Sequence, residues 1–113
     1  MTEAEVVSAY AAWLVSEGWS VRTEVDHVDV LADRDGVTLL AEAKGQTSST
    51  GLDVDTAYGQ LLRRMRPGIE ELRYALVVPS SALRAAERVR PEIRAVLKIE
   101  LYVVAENGAA KLV

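Results

Sequence analysis

The stretch VDVLADRDGVTLLAEAKG, residues 28–45, reads as two alternating strands joined by a tight turn. Asp35-Gly36 lies between two runs of aliphatic and β-branched residues, the strongest short-range signal for a type I′ hairpin. With these two as the turn, Arg34 faces Val37, and every residue faces the one whose number completes a sum of 71. Asp29 then stands opposite Glu42, and His27 opposite Lys44. Cross-strand partners have Cβ atoms roughly 5 Å apart, and alternate residues share a face. Val28, Val30, Ala32, Leu39, Ala41 and Ala43 form the core face, and Asp29, Glu42, Lys44 and His27 gather on the other.

Two carboxylates set against each other repel, which costs stability unless a positive charge lies between them. Magnesium commonly takes one or two protein carboxylates and completes its octahedron with water and substrate phosphate, so Asp29 and Glu42 are candidate ligands. Lys44, one pleat further on, would lie near a metal-bound water and an incoming phosphate, where it would orient or deprotonate the attacking water and offset charge on the transition state. The plain structural alternative is that Lys44 pairs with Glu42 and Asp29 on a solvated face. Leu31 and Leu40 share that face, which argues against simple solvation. A lone neutral histidine at a strand end, such as His27, is more often a structural hydrogen-bonder than a site residue.

Outward from the hairpin, Val6, Val7, Tyr10, Trp13 and Leu14 recur at helical spacing, with Thr2 as N-cap and Gly18 as stop. WSVRTEV, residues 19–25, supplies a first strand, and HVDVLADR, residues 27–34, the second. GQTSSTG, residues 45–51, reads as a loop; Asp53 or Asp55 would cap a second helix running to about Met65, striped by Val54, Tyr58, Leu61, Leu62 and Met65 and ended by Pro67-Gly68. RYALVVPS, residues 73–80, is nearly all apolar and reads as a central strand covered on both faces. Ser80 or Ser81 would cap a third helix that Pro91 interrupts or restarts, and ELYVVAE, Asn107-Gly108 and AAKLV finish with a strand and a short hairpin. The order α-β-β-β-α-β-α-β predicts one α/β domain over residues 1–113 with a mixed sheet.

Composition narrows the chemistry. The chain has 113 residues, half of them hydrophobic and 27% charged, the profile of an ordinary globular domain. With no cysteine and a single histidine, disulfides, thiolate metal sites and a cysteine nucleophile are excluded, and any metal must sit on carboxylate oxygens or His27. No apolar run reaches the roughly 20 residues of a membrane span, and MTEAEVV lacks the basic start of a signal peptide, so the expected compartment is the cytoplasm, with no membrane partner. The net charge of −4 is uneven: eight acids against two arginines give −6 over residues 1–35, which leaves +2 over residues 36–113. Arginines gather at 63–73 and 84–94, which allows a local basic face or two solvated helix faces.

These features together resemble the PD-(D/E)xK nuclease superfamily, the restriction-endonuclease-like fold. The matches are VDV at 28–30, EAKG at 42–45, and AYGQLLRRM at 57–65, which sets a glutamine in the helix after the E-x-K strand. They lie within a helix, three-stranded meander, helix, strand order that spans roughly residues 3–79, and the small Mrr-like and Holliday-junction-resolvase-like branches are the most similar. The resemblance implies that Asp29 and Glu42 bind Mg2+, or Mn2+, with the Ala43 carbonyl as a further ligand. It makes Lys44 the catalytic lysine and Gln60 the helical glutamine that supports the site or touches the nucleic-acid backbone; as plain sequence Gln60 also fits a surface position. Glu3 and Glu5 both fit the early helical glutamate, Glu3 better because it shares the stripe of Val7, Tyr10 and Leu14. Val28 stands where the superfamily's name has proline.

The implied activity is metal-dependent hydrolysis of a nucleic-acid phosphodiester, DNA first, leaving a 5′-phosphate and a 3′-hydroxyl. Thr47, Ser48, Ser49 and Thr50 in the loop, and Arg63, Arg64 and Arg66 after Gln60, are the phosphate-contact candidates. Holding a duplex takes many phosphate contacts, and no long basic segment supplies them, so a homodimer or a partner protein is expected to complete the surface. The alternative is a non-catalytic module on the same fold that binds nucleic acid or assembles with a partner.

Overall fold

The computed structural model describes all residues, 1–113. Its elements are helix α1 (Glu3–Ser16), strands β1 (Ser20–Val25), β2 (Val28–Arg34) and β3 (Val37–Ala43), helix α2 (Thr50–Arg64), strand β4 (Leu72–Pro79), a 3-10 turn (Ser80–Ala82) leading into the one-turn helix α3 (Leu83–Ala86), helix α4 (Pro91–Leu97), and strands β5 (Ile99–Val104) and β6 (Ala110–Leu112). The six strands lie side by side in chain order. β1, β2 and β3 form an antiparallel meander, β4 and β5 add in parallel, and β6 turns back antiparallel on β5. This is the expected α/β architecture with a mixed central sheet.

The hairpin register is the expected one over its paired length: Arg34 faces Val37, Leu31 faces Leu40, and Val30 faces Ala41. Asp35 and Gly36 have φ of 50° and 79°, the left-handed pair that a type I′ turn demands. The six residues assigned to the core face are all buried. All but Val28 join one cluster with Val6, Tyr10 and Leu14 of α1 and Ala75 and Val77 of β4. On the opposite face Val54, Ala57, Tyr58 and Leu61 of α2 pack on Leu76, Val78 and Leu101, and Ala82 and Ala86 close the layer. β4 is buried from Tyr74 onward because helices cover both its faces. Each fully buried Val or Leu contributes about 1.5–3 kcal/mol relative to exposure, so the two layers hold most of the stabilising area.

Three expectations are corrected. Asp53 and Asp55 do not cap α2. The helix begins earlier, at Thr50, because the loop is ordered by its own hydroxyls: Thr47 donates from Oγ1 to Asp53, already inside the first turn, and Thr50 Oγ1 donates to the Thr47 carbonyl at 3.1 Å. Pro91 restarts the third helix as expected, its missing N–H suiting the first position of α4, but Ser80 and Ser81 lie in the 3-10 turn and cap neither it nor α3. His27 is not in β2. Asp26 and His27, with φ of 50° and 64°, form a second left-handed pair that turns β1 into β2, so the ladder closes at Val25 and Val28. Neither residue is glycine or asparagine, and the turn therefore left no strong signal in the sequence.

α1 starts as expected. The Thr2 N–H donates to Glu5 Oε1 at 2.8 Å while the Glu5 N–H donates to Thr2 Oγ1 at 3.1 Å, a capping box that satisfies two otherwise orphaned donors. Thr2→Ala removes half of it and is expected to lower the unfolding free energy by about 1 kcal/mol, read from urea melts.

Candidate functional site

The site forms where β2 and β3 part. Their ladder ends at Val30 and Ala41, but β3 continues along β4 through Ala43 and Val77, with the Lys44 N–H donating to the Val77 carbonyl at 3.0 Å. β2, held by β1, diverges from it. Asp29 reaches into the opening, and its Oδ2 accepts the Ala43 N–H at 2.8 Å in place of a main-chain partner. A buried backbone donor left alone would be costly, so this bond fixes the carboxylate at the mouth of the gap. The contact observed for Ala43 is through its N–H.

Glu42, on the next residue of β3, points to the other side, under α2, and is only 2% exposed. Gln60 and Arg64 lie four apart on α2 and so share one of its faces. Arg64 Nη1 stands 3.0 Å from Glu42 Oε1, yet the approach is off line for a hydrogen bond, and Nη1 instead donates to the Gln60 carbonyl at 3.1 Å. Glu42 Oε1 and Gln60 Oε1 are therefore both buried without a hydrogen-bond partner. Such orphaned acceptors are rare enough in folded proteins to require an explanation.

Burial pushes the Glu42 carboxyl up, to about 8, helped by a hydrogen bond to and the charge of Asp29, while Arg64 and Lys44 pull the other way. The upward push wins because a carboxylate loses more hydration under α2 than a misaligned guanidinium returns. With its pKa raised in this way, the Glu42 carboxyl favours its protonated form at neutral pH.

Lys44 follows the end of β3 and leaves the sheet at the α1 end of the gap. Its Nζ is 3.7 Å from Glu3 Oε1 in the first turn of α1. The structure thus separates the two early glutamates: Glu3 stands beside Lys44, and Glu5 is taken up by the capping box. His27 does not stand across from Lys44. It is exposed on the turn, and only its carbonyl reaches the site, accepting from Arg64 Nη2 at 2.8 Å.

The phosphate-contact candidates divide. Arg63 and Arg66 are exposed, as are Ser48 and Ser49, whereas Thr47 and Thr50 are engaged in ordering the loop. Arg64 belongs to the buried carboxyl rather than to the outer surface. Glu24 was not singled out from sequence. With φ of 54° it stands across from Asp29, between the pairs Thr23–Val30 and Val25–Val28, and it lines an open cleft with Glu3, Ala4, Ser8 and Asp29. Its alternation in SVRTEV is regular, so nothing in the sequence marked the left-handed backbone there.

No three carboxylate or imidazole side chains converge as a ready cage. The donors at the gap are the two carboxyls of Asp29 and Glu42, and α2 adds the orphaned amide oxygen of Gln60, all hard oxygens. This set fits an oxygen-ligated divalent cation of the magnesium kind, which needs few protein ligands, and does not fit zinc or copper.

No helix is long and apolar enough to cross a membrane. No family model matches the chain, and no curated protein does. Among solved structures, an XisH family protein from Nostoc punctiforme superposes with a TM-score of 0.67 at 19% identity, over 96% of this chain and 98% of that one. An fdxN element excision controlling factor protein from Anabaena variabilis superposes with a TM-score of 0.64 at 22% identity, over 97% and 96%. At such identities the likeness shows that this chain shares its fold, end to end, with XisH-type proteins.

Proposed function

We propose that this chain is a metal-dependent nuclease that hydrolyses phosphodiester bonds in DNA. The observation that carries the reading is the pairing of Asp29 with the buried Glu42, whose Oε1 is orphaned, at a sheet opening beside Lys44. A fold shared with an excision controlling factor supports DNA as the polymer, since excision of a genetic element is a DNA transaction. In this reading Asp29, Glu42 and the Ala43 carbonyl hold Mg2+, with Mn2+ as a substitute, and Gln60 steadies them from α2. The cation, when bound, lowers the pKa of a water and neutralises phosphate charge. Lys44 contributes a second positive charge on the solvent side, kept in place by Glu3, where it aligns the attacking water and offsets charge growing on the phosphoryl oxygens. Arg63, Arg66 and Ser48 would meet flanking phosphates. Few such contacts are available on one chain, so a second copy or a partner protein would complete the grip.

One observation favours a second reading, a binding module without catalysis. The cleft beside Asp29 is lined by Glu3 and Glu24, an acidic approach for a polyanion. Purified protein incubated with single- and double-stranded DNA and RNA, in Mg2+ or in EDTA, separates the two. The nuclease reading expects cleavage in Mg2+ alone, reduced at least about a hundredfold by Lys44→Ala and by Glu42→Gln. Cleavage that persists in both variants would sink it; retention of nucleic acid with no cleavage in either metal would establish the module.

A further inference from the structure

The inference concerns Arg64 and rests on the metal-site reading above. Arg64 is held at three points: Nη2 donates to the His27 carbonyl at 2.8 Å, Nη1 donates to the Gln60 carbonyl at 3.1 Å, and Nη1 lies 3.0 Å from Glu42 Oε1. Its side chain is 22% exposed, and it is the positive group in direct contact with the buried carboxyl, since Lys44 is turned towards Glu3. The two carbonyls take its hydrogens. Glu42 receives its charge but no aligned hydrogen bond, and Oε1 stays orphaned.

This is the geometry of a stand-in. A dication at Glu42 would bind through direct oxygen ligation at about 2.1 Å, and its charge would repel a guanidinium one contact away. The repulsion is strongly felt in a site only 2% exposed, where water screens little. We propose that Arg64 is a resident counter-ion that occupies the cation's place and is displaced when a divalent cation binds. Displacement breaks the bond to the His27 carbonyl, so occupancy of the metal site also frees the β1–β2 turn from α2. Arg64 acts through Glu42 and is a positioning residue, one that raises the cation concentration needed to fill the site.

Mg2+ affinity of the intact chain and of Arg64→Gln tests this by calorimetry, compared on each protein's high-pH plateau so that the Glu42 proton does not enter. Arg64→Gln is expected to bind Mg2+ about tenfold tighter; equal or weaker binding by a folded variant overturns the proposal. A purely structural arginine would give weaker binding on removal. In parallel, the guanidinium resonances of 15N-arginine-labelled wild-type protein are followed during Mg2+ addition, which decides the matter if the variant does not fold. Release of a slowly rotating Arg64 guanidinium at saturation supports displacement, and unchanged Arg64 signals overturn it. Binding by the variant alone also supports it. Tight Mg2+ binding with Arg64 unmoved removes this inference and leaves the metal site standing, whereas no binding by either protein removes both.

Discussion

Gly45→Ala is expected to destabilise the chain by about 3 kcal/mol, the upper end for forcing atoms into a packed region. A Cβ at this position would lie 2.2 Å from the Glu3 nitrogen, 2.5 Å from the Thr2 carbonyl carbon and 2.9 Å from the Glu3 Cα. All three are backbone atoms, so no side chain can rotate away. The chain leaves β3 directly against the start of α1, an approach fastened by the Gln46 N–H donating to the Met1 carbonyl at 2.8 Å. An alanine must push the helix start outwards, loosening the Glu3–Lys44 contact at the same time. Gly59→Ala is the internal control. Its Cβ would meet only Arg63 Nη1, at 3.5 Å, and in a helix interior alanine is favoured over glycine by about 1 kcal/mol, so the same change should stabilise there. Urea melts of the two variants should shift in opposite directions; a Gly45→Ala protein as stable as wild type would show that α1 does not seat as described.

Glu42→Gln is expected to raise stability at pH 8.5 by about 2 kcal/mol while changing it little at pH 5. The sign follows from the upward shift. Below about 4.5 the carboxyl is protonated in both folded and unfolded chains; as pH rises towards 8, the unfolded chain ionises it while the fold retains the proton. Stability contributed by the neutral buried group is therefore present at low pH and lost as pH rises to about 8, where the curve flattens. Glutamine is neutral throughout and escapes that loss. Unfolding free energies of both proteins from pH 5 to 9, in EDTA, give the comparison, and curves that run parallel would refute a buried, protonated Glu42. Under the proposed metal site, Mg2+ should restore stability to wild type at pH 8.5 and do little for the variant.

Much of this was legible because it depended on local rules. Asp35-Gly36 specified a turn, the turn specified a register, and the register separated core residues from Asp29, Glu42 and Lys44. The expectation failed at the ends of that register, for reasons local pattern does not contain. His27 alternates correctly for a strand, but with Asp26 it adopts a left-handed turn. Glu24 alternates correctly as well, yet takes a left-handed φ within β1. Lys44 lies on Glu42's side by parity, but β3 ends at Ala43, and beyond a strand's end alternation no longer fixes direction; the ammonium turns to Glu3 while Glu42 stays under α2. Arg64, four residues from Gln60, could be placed on Gln60's face from spacing alone. That this face covers a buried carboxyl depends on how α2 lies across β3.

The sequence by itself determined the order of elements, the hairpin register, the two apolar faces and the residue types at the candidate site. These follow from periodicity and turn chemistry, which act over a few residues. Only the tertiary structure decided that β2 and β3 part just where the acids stand, that Glu42 is dehydrated enough to hold a proton, that Glu3 rather than Glu5 meets Lys44, and that Arg64 serves a buried carboxyl. Burial and charge proximity depend on which distant segments are brought within a few ångströms, and chain spacing carries no record of that distance.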